Sequence, residues 1–330
     1  MAASSTTSSI RVYLGDDELA QSLRTEALIG LSSTPKHLSP TWLYDQRGCE
    51  LFDAITELPE YYPTRTERAI LSQHAVDIAR ISDADTLVEL GSGTCDKTRL
   101  LLRALDTTEQ LQRYGPFDVA EETLHDAASQ LLVEFPDMEI DGVVGDFRSH
   151  LAFIPQGGQR LIAMLGGTIG NLRPAERAAM LAELSDSMMP GDALLLGTDL
   201  VKDRRRLVAA YDDEAGVTAA FNLNVLRRLN RELGANFDLS RFAHVALFND
   251  AEEWIEMRLR SLGSQRVTIA DLGLSITFDD GEDILTEVSA KFTTDKIRRE
   301  VEAAGLHLSA FWTDTAEDFA LSLSTKVAEP

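Results

Sequence analysis

A glycine-rich stretch is the first feature of the sequence that could take part in chemistry. Residues 89–94 read Glu-Leu-Gly-Ser-Gly-Thr, directly after an apolar run and directly before a helical pattern. Glycines at such a strand-to-helix turn let the backbone approach a ligand and aim helix N–H groups at it. Because position 96 is Asp, the third glycine of a dinucleotide motif is missing and a pyrophosphate would be repelled. On its own, the motif could also be a purely structural turn.

Acidic side chains end the next two apolar runs. Asp118 ends the second run, where an acid can hydrogen-bond the two hydroxyls of a ribose. Asp146 and Phe147 end the third run, where a carboxylate and a ring suit the amino group and the face of adenine. Each Asp could instead be a helix N-cap. Together with the glycine turn, the two acids favour an adenosyl group with a positive sulfonium over NAD.

The pattern of the elements that must position these residues changes twice along the chain. Residues 85–200 alternate short apolar runs with amphipathic helical segments, which is typical of right-handed βαβ units on a parallel sheet. A long helical pattern at 217–233 then precedes strand-like runs, among them 255–260, where apolar and charged residues alternate. From residue 294 the α/β pattern returns.

We therefore predict an α/β fold in which a Rossmann-like domain is interrupted by an inserted α+β domain that binds the substrate. The predicted boundaries are a disordered tail at 1–12, the inserted domain at 13–64 and 202–290, and the Rossmann-like domain at 65–201 and 291–330. No strand is predicted between Tyr13 and Pro63.

Charge and composition exclude several classes of protein. The 330 residues carry a formal net charge of −23, which disfavours nucleic acid and anionic membranes as partners. No apolar run approaches the roughly 20 residues that span a bilayer. The two cysteines, Cys49 and Cys95, provide neither a disulfide framework nor zinc-ligand spacing. We expect a cytoplasmic monomer that binds no metal, nucleic acid or membrane and acts on a small molecule.

Six longer stretches resemble the histidine-specific Nα-methyltransferases of ergothioneine biosynthesis. The resemblance extends over nearly the whole chain from about Leu31 onward. The stretches are LPEYYPTRTE at 58–67, LVELGSGT at 87–94, GGTIGNL at 166–172, LGTDLVKD at 196–203, YDDEAGVTAAF at 211–221 and LTEVSAKF at 285–292. The resemblance implies a class I methyltransferase domain that trimethylates the α-amine of L-histidine to hercynine, with S-adenosylmethionine as the methyl donor.

The resemblance also implies which residues bind the two ligands. The cofactor positions fall on Gly91, Lys97, Asp118, Asp146 and Phe147. The histidine positions fall on Tyr44, Tyr61, Gly166, Asn171, Tyr211, Met257, Glu287 and Ser289, of which Tyr44 and Asn171 are the expected catalytic residues. Two departures are Gly167 and Cys95, each at a position where Ser is expected. We expect Cys95 to fill space rather than act as a nucleophile, since no base is adjacent in the sequence.

The types of the implied substrate residues suit histidine. Glu287 and Ser289 are two residues apart on a strand, so they point to one face and can accept from one imidazole nitrogen and donate to the other. They could also form the wet face of an edge strand. Asn171 can serve the amine and the carboxylate, or can be a helix N-cap before Pro174.

The aromatic residues can serve the other end of the substrate. Tyr61 is expected to hydrogen-bond the carboxylate and Tyr44 to face the amine, where aromatic rings stabilise the growing ammonium. Tyr61 and Met257 could alternatively be plain core, and the spacing of Thr64 and Glu67 predicts a capping box. No dedicated general base is expected, because the amine can lose its proton through Tyr44 or water.

Three alternative functions remain open at this point. They are Nα-methylation of another amino acid such as tryptophan, nucleotide-dependent oxidoreduction, and adenosyl binding without catalysis. An anion at Glu287 favours imidazole over indole. Asp96 disfavours the oxidoreductase, and the complete set of substrate residues disfavours a non-catalytic module.

Overall fold

The computed structural model describes residues 8–93, 95 and 97–327, which form two compact units. The Rossmann-like unit consists of the described parts of Met1–Gly15, Arg65–Leu200 and Phe292–Pro330. The insert unit consists of Asp16–Thr64 and Val201–Lys291. The assignment of substrate binding to the insert stays a prediction.

The helices and strands of the described residues are as follows. The strands are β1 Ser8–Val12, β2 Lys36–His37, β3 Thr86–Leu90, β4 Arg113–Asp118, β5 Glu139–Val144, β6 Arg160–Met164, β7 Ala193–Asp199, β8 Phe242–Asn249, β9 Trp254–Ser261, β10 Gln265–Ile269, β11 Leu274–Phe278, β12 Asp283–Ala290, β13 Leu306–Thr313 and β14 Phe319–Lys326. The α-helices are α1 Asp16–Ser32, α2 Gln46–Thr56, α3 Pro63–Ser82, α4 Thr98–Asp106, α5 Glu121–Glu134, α6 Phe147–His150, α7 Pro174–Ser187, α8 Arg204–Ala209, α9 Val217–Glu232 and α10 Thr294–Ala303. Within the described ranges, none of the helices has the length and apolarity that a membrane crossing requires.

The sheet of the Rossmann-like unit reverses its strand order at β3. Its order is β1-β5-β4-β3-β6-β7-β14-β13. The strands from β1 to β7 pair in parallel, whereas β14 is antiparallel to both β7 and β13. In open α/β sheets, ligands bind at the carboxyl ends of the strands, at the point where the order reverses. The glycine turn that follows β3 lies at this point.

The central strands form because their apolar runs are buried on both faces. Every residue of β3, β6 and β7 is buried, as a parallel sheet covered by helices requires. Helix α4 is amphipathic, since it buries Leu101, Leu102 and Leu105 and leaves Arg103 exposed. The predicted α/β, Rossmann-like fold is confirmed.

The insert unit is built on a smaller sheet. Its order is β2-β12-β9-β8, and a separate hairpin joins β10 to β11. Strands β8, β9 and β12 are antiparallel, while β2 pairs in parallel with β12 in a segment where the sequence predicts no strand. In β9 the apolar residues Ile255, Met257 and Leu259 are buried in the core of the unit, whereas Arg258 and Arg260 are partly exposed. The predicted alternation is thus confirmed for the apolar residues and the two arginines, whereas Glu256, expected on the wet face, is buried.

The first described residues correct the prediction of a disordered tail at 1–12. Residues 1–7 lie outside the described residues, but Ser8–Val12 forms β1 and pairs in parallel with β5. Tyr13 then stacks on Phe153 at a centroid distance of 3.8 Å, and the chain as far as Gly15 belongs to the Rossmann-like unit rather than to the insert. The sequence of β1 hides this strand, because backbone hydrogen bonds to β5 hold it at the edge and only Ile10 packs against the core.

Candidate functional site

The glycine turn leaves open space at the carboxyl end of β3. Gly91 has a φ of 76° and Gly93 a φ of 48°, left-handed values that favour glycine. A Cβ built on either glycine would meet no described atom within 4 Å. The N–H of Gly91 donates to the carbonyl of Phe117 at 2.8 Å, which ties the turn to β4. A ligand can therefore approach the backbone here.

Asp118 faces this turn from the end of β4. Its Oδ2 accepts a hydrogen bond from the N–H of Gly93 at 2.9 Å, and its Oδ1 accepts one from the N–H of Ala120 at 3.0 Å. A carboxylate oxygen has two acceptor sites, so both oxygens keep capacity for hydroxyl donors. Burial raises the pKa of Asp118, although the backbone donors lower it. The geometry suits the two hydroxyls of a ribose.

Asp146 is the N-cap of α6, which is the alternative that the sequence leaves open for it. Its Oδ1 accepts from the N–H of Arg148 at 2.9 Å, and the Arg148 guanidinium pairs with the same carboxylate at 2.6 Å. Phe147 follows and is half-buried. An adenine amino group would have to share Asp146 with Arg148, so the adenine contacts of Asp146 and Phe147 stay predictions.

A buried polar cluster lies beside the glycine turn. Glu89 accepts hydrogen bonds from Thr98 and from the hydroxyl of Tyr114, the latter at 3.0 Å, and Cys95 Sγ lies 3.2 Å from the same hydroxyl. Burial raises the pKa of Glu89 to about 7 and that of Cys95 to about 12. The Cys95 thiol is therefore protonated at neutral pH, which agrees with space filling and not with nucleophilic catalysis.

Lys97 is held by a buried carboxylate. Its Nζ forms an ion pair and a hydrogen bond with Glu67, whose side chain is fully buried. Glu67 also accepts the N–H of Gly166 on both oxygens, at 2.8 and 2.9 Å. The predicted capping box of Thr64 and Glu67 is wrong, because the carboxylate binds these two partners and α3 already begins at Pro63.

The loop after β6 contains the predicted substrate residues Gly166 and Asn171. Gly166 and Gly167 have φ values of 75° and 70°, so Gly167 suits its position better than the expected Ser, which would be strained there. Asn171 ends the 3₁₀ turn Thr168–Asn171 and is half-buried, and its side chain hydrogen-bonds no other described residue. Since Arg173 is the N-cap of α7, the alternative N-cap role of Asn171 is wrong.

In the insert unit, Glu287 presents a buried carboxylate that lacks a hydrogen-bond donor. Glu287 pairs with Met257 across β12 and β9, and Ser289 pairs with Ile255, so these side chains share one face of the sheet. Glu287 is 7% exposed, and no described residue hydrogen-bonds or ion-pairs with its carboxylate. Burial raises its pKa to about 7, although nearby Lys291 lowers it. Water or a ligand must therefore supply the hydrogen-bond donors of this carboxylate.

Ser289 belongs to a buried triangle with Tyr211 and Lys291. Ser289 Oγ lies 2.8 Å from Tyr211 Oη, and Lys291 Nζ donates to them at 2.9 and 3.0 Å respectively. The alternative of a wet polar face is wrong, because Glu287 and Ser289 are buried, although β2 pairs with β12 only at Ile284 and Leu285. Lys291 was not predicted from the sequence, although its spacing continues the alternation from Glu287 to Ser289 and is the signal that indicates it.

Tyr44 and Tyr61 lie in an aromatic cluster of the insert unit. The ring centroids of Tyr61 and Tyr211 are 6.2 Å apart, and those of Tyr44 and Phe221 are 5.3 Å apart. Burial, together with the charge of Glu287, raises the pKa of Tyr44 well above its ordinary value. The Tyr44 phenol is therefore neutral at physiological pH and can offer a hydrogen bond and an aromatic face.

The structure divides the predicted site residues between the two units. The Rossmann-like unit contains Gly91, Lys97, Asp118, Asp146, Phe147, Gly166 and Asn171. The insert unit contains Tyr44, Tyr61, Tyr211, Met257, Glu287 and Ser289. In the parts of the chain that the structure describes, no cluster of three or more His, Cys, Asp or Glu side chains could hold a metal.

Comparison with known proteins gives matches over almost the whole chain. Residues 23–326 match the sequence model of a family described as histidine-specific, S-adenosylmethionine-dependent methyltransferases. A histidine N-alpha-methyltransferase of Mycolicibacterium smegmatis is 53% identical over 97% of this chain and 100% of its own length. Its namesake in Mycobacterium tuberculosis is 54% identical over 96% of this chain and 99% of its own. Ergothioneine biosynthesis protein 1 of Neurospora crassa is 35% identical over 61% of this chain and 23% of its own.

Proposed function

Because the chain belongs to the family of histidine-specific, S-adenosylmethionine-dependent methyltransferases, we propose that it trimethylates the α-amine of L-histidine to hercynine, the first step of ergothioneine biosynthesis. The names of the mycobacterial and fungal relatives support this substrate and this pathway. Membership of a methyltransferase family argues against an oxidoreductase and against a non-catalytic adenosyl-binding module.

The choice of histidine rests on a hydrogen-bond acceptor, Glu287, and a donor, Ser289, that lie on the same face of the insert sheet. Lys291 has only donors, so it donates to both hydroxyls of its triangle. Either hydroxyl can donate to the other across the 2.8 Å between Tyr211 and Ser289, and in the arrangement in which Tyr211 donates, the O–H of Ser289 is left to donate to a ligand. Glu287 supplies the acceptor. A neutral imidazole satisfies both groups, because it has one N–H and one unprotonated nitrogen.

Tryptophan is the second candidate, and it satisfies only half of this arrangement. The indole N–H could donate to Glu287, but indole has no acceptor for the hydroxyl of Ser289. A buried donor without a partner costs about 1–3 kcal/mol. The same pair of groups therefore favours histidine over tryptophan.

We infer that the methyl donor binds at the carboxyl ends of β3, β4 and β5. S-adenosylmethionine supplies a methyl group on a positively charged sulfur. The residues that would hold it are Gly91, Lys97, Asp118, Asp146 and Phe147. The open space at the glycine turn and the remaining acceptor capacity of Asp118 support this assignment.

The remaining residues would bind the amino-acid end of histidine and its ring. Methyl transfer depends chiefly on positioning and on a neutral amine lone pair. Tyr44 and Asn171 would contact the amine as catalytic residues, Tyr61 and Gly166 would bind the amino-acid end, and Met257 would pack on the imidazole. The aromatic cluster also suits the quaternary ammonium product, which has no N–H to donate in a hydrogen bond and favours ring faces.

Tyr44→Phe tests whether the reaction needs a tyrosinate as the base. We expect kcat to fall by less than about tenfold, whereas loss of a true general base costs about 10²–10⁴-fold. Burial raises the pKa of Tyr44, so its phenol stays protonated and cannot act as the base. We therefore expect water to take the proton from the amine in the wild type and in the variant alike. Steady-state kinetics and circular dichroism check this result. A folded Phe variant that binds histidine normally but is inactive would make Tyr44 essential for proton transfer.

The preference among amino acids tests the proposed function directly. The protein is incubated with labelled S-adenosylmethionine and each of the twenty amino acids, with Nα-acetylhistidine as the control that lacks a reactive amine. We expect a trimethylated product from L-histidine, transfer to tryptophan lower by about tenfold or more, and none to the blocked control. Faster methylation of tryptophan, or label on the imidazole of the control, would contradict the proposal.

We also propose that the protein acts as a monomer in the cytoplasm and needs no metal, nucleic acid or membrane. The net charge of −23 supports the exclusion of polyanions, and an in-line displacement needs positioning rather than a Lewis acid. Activity that survives dialysis against a chelator and sedimentation as a single chain would agree with this proposal. Activity that a divalent cation restores after dialysis would contradict it.

A further inference from the structure

Glu67 joins two loops of the Rossmann-like unit that the resemblance assigns to different ligands. Lys97 follows β3 and belongs to the cofactor positions, whereas Gly166 follows β6 and belongs to the histidine positions. The carboxylate of Glu67 forms an ion pair with Lys97, and both of its oxygens accept a hydrogen bond from the N–H of Gly166. These contacts connect residues that are 30 and 99 positions away from Glu67 in the chain.

The sheet makes room for this carboxylate at Gly197 in β7. A Cβ at Gly197 would lie 1.9 Å from Oε1 of Glu67 and 3.2 Å from its Cδ. Gly197 is not among the residues with positive φ, so any residue could adopt its backbone conformation. The glycine is therefore needed for space, and that space is occupied by the end of Glu67.

Because Glu67 is buried, the loss of its contacts with Lys97 and Gly166 would cost more free energy than the loss of similar contacts at the surface. The side chain is 0% exposed, and a buried carboxylate is tolerated only when cations and N–H donors satisfy it. Lys97 and the Gly166 N–H are the partners that the structure gives it. Loss of the charge would release the ammonium of Lys97 and weaken the hold on the Gly166 loop at the same time.

We propose that Glu67 is a positioning residue that sets the cofactor loop and the substrate loop relative to each other through Lys97 and Gly166. Glu67 acts through these two residues and not by direct contact with either ligand. The inference rests on the proposed function, because it takes Lys97 and Gly166 as ligand-binding residues.

Two variants disturb the carboxylate in independent ways. Glu67→Gln removes the charge and keeps the shape. Gly197→Ala keeps the charge and displaces Oε1. Gly142→Ala in β5 of the same sheet is the matched control, because its Cβ would meet the side-chain ends of Leu124 and Ile10 at 3.0 and 3.1 Å. Flexible apolar ends can yield, and Glu67 is not among these contacts.

Calorimetry measures the Kd of S-adenosylhomocysteine and then the Kd of L-histidine on the protein saturated with it, and melting temperatures report folding. We expect both Kd values to rise by about tenfold in Glu67→Gln and in Gly197→Ala, since charge-assisted contacts are lost, and to stay unchanged in Gly142→Ala.

A lower melting temperature with both affinities unchanged would overturn the proposal, and so would an effect on one ligand alone. If Glu67→Gln does not fold, the two Kd values of Gly197→Ala test the proposal. A wild-type protein that binds S-adenosylhomocysteine but not histidine refutes the proposed substrate, and the S-adenosylhomocysteine measurement still decides whether Glu67 positions Lys97.

Discussion

Replacing Glu287 by alanine is expected to raise the KM for L-histidine by about 10- to 100-fold and to change the Kd of S-adenosylhomocysteine by less than about twofold. The carboxylate is an acceptor on its face of the insert sheet, and no described residue donates a hydrogen bond to it. Alanine leaves the imidazole N–H without an acceptor in a buried site, and a hydrogen bond to a charged group contributes about 1.5–3 kcal/mol. Initial rates at varied histidine, with calorimetry of S-adenosylhomocysteine binding, check the prediction.

Glu256→Gln is the matched control for Glu287→Ala. Glu256 is 5% exposed and lies on the neighbouring strand β9, but its carboxylate already accepts hydrogen bonds from Trp254, Asn249 and Arg258. We expect Glu256→Gln to lower the melting temperature and to leave the KM for histidine within about twofold of the wild type. Equal loss of affinity for histidine and for S-adenosylhomocysteine in Glu287→Ala would contradict a role in imidazole binding.

Replacing Asp118 by alanine is expected to weaken the binding of S-adenosylhomocysteine by about a hundredfold, because two hydrogen bonds from ribose to a charged acceptor are lost. The same change removes the acceptor of the Gly93 and Ala120 N–H groups, so the glycine turn loses one of its two hydrogen bonds to β4 and keeps the one from Gly91 to Phe117. Calorimetry with S-adenosylhomocysteine measures the effect.

Asp141→Ala serves as the control for Asp118→Ala. Asp141 lies on the adjacent strand β5, and its carboxylate pairs with Arg11 at the edge of the sheet. We expect S-adenosylhomocysteine to bind this variant as it binds the wild type. An Asp118→Ala protein that keeps wild-type affinity would remove Asp118 from the ribose site.

The fold was predictable from sequence wherever burial imposes a pattern. The runs that form β3 to β7 are apolar because both faces of a parallel sheet are covered, and the alternation in β9 reflects one buried face. β1 was not predictable in this way, since four of its five residues are exposed and no apolar pattern results. Its position depends on the backbone ladder with β5, a partner more than a hundred residues away in the chain.

Only those residues of the candidate site that belong to sequence motifs could be predicted. The glycine turn and Asp118 follow from their places after strands, and the other ligand residues come from the resemblance. The residues that position them do not belong to motifs. Glu67 contacts Lys97 and Gly166, which are far from it in the chain. Lys291 hydrogen-bonds Tyr211, which is 80 positions away. Local patterns cannot show such contacts, because each depends on the tertiary fold. For the same reason, the spacing of Thr64 and Glu67 predicted a capping box that the structure does not contain.

The order in which the chain builds its two units has a consequence for synthesis on the ribosome. Strand β1 at one edge of the main sheet comes from the first described residues, while β14 and β13 on the other side come from the last. The insert unit likewise needs both Asp16–Thr64 and Val201–Lys291. A nascent chain thus cannot finish either unit early, and completion of the main sheet must wait until the C-terminal hairpin has left the exit tunnel. Fragments cut at any single point would lack part of one unit or of both.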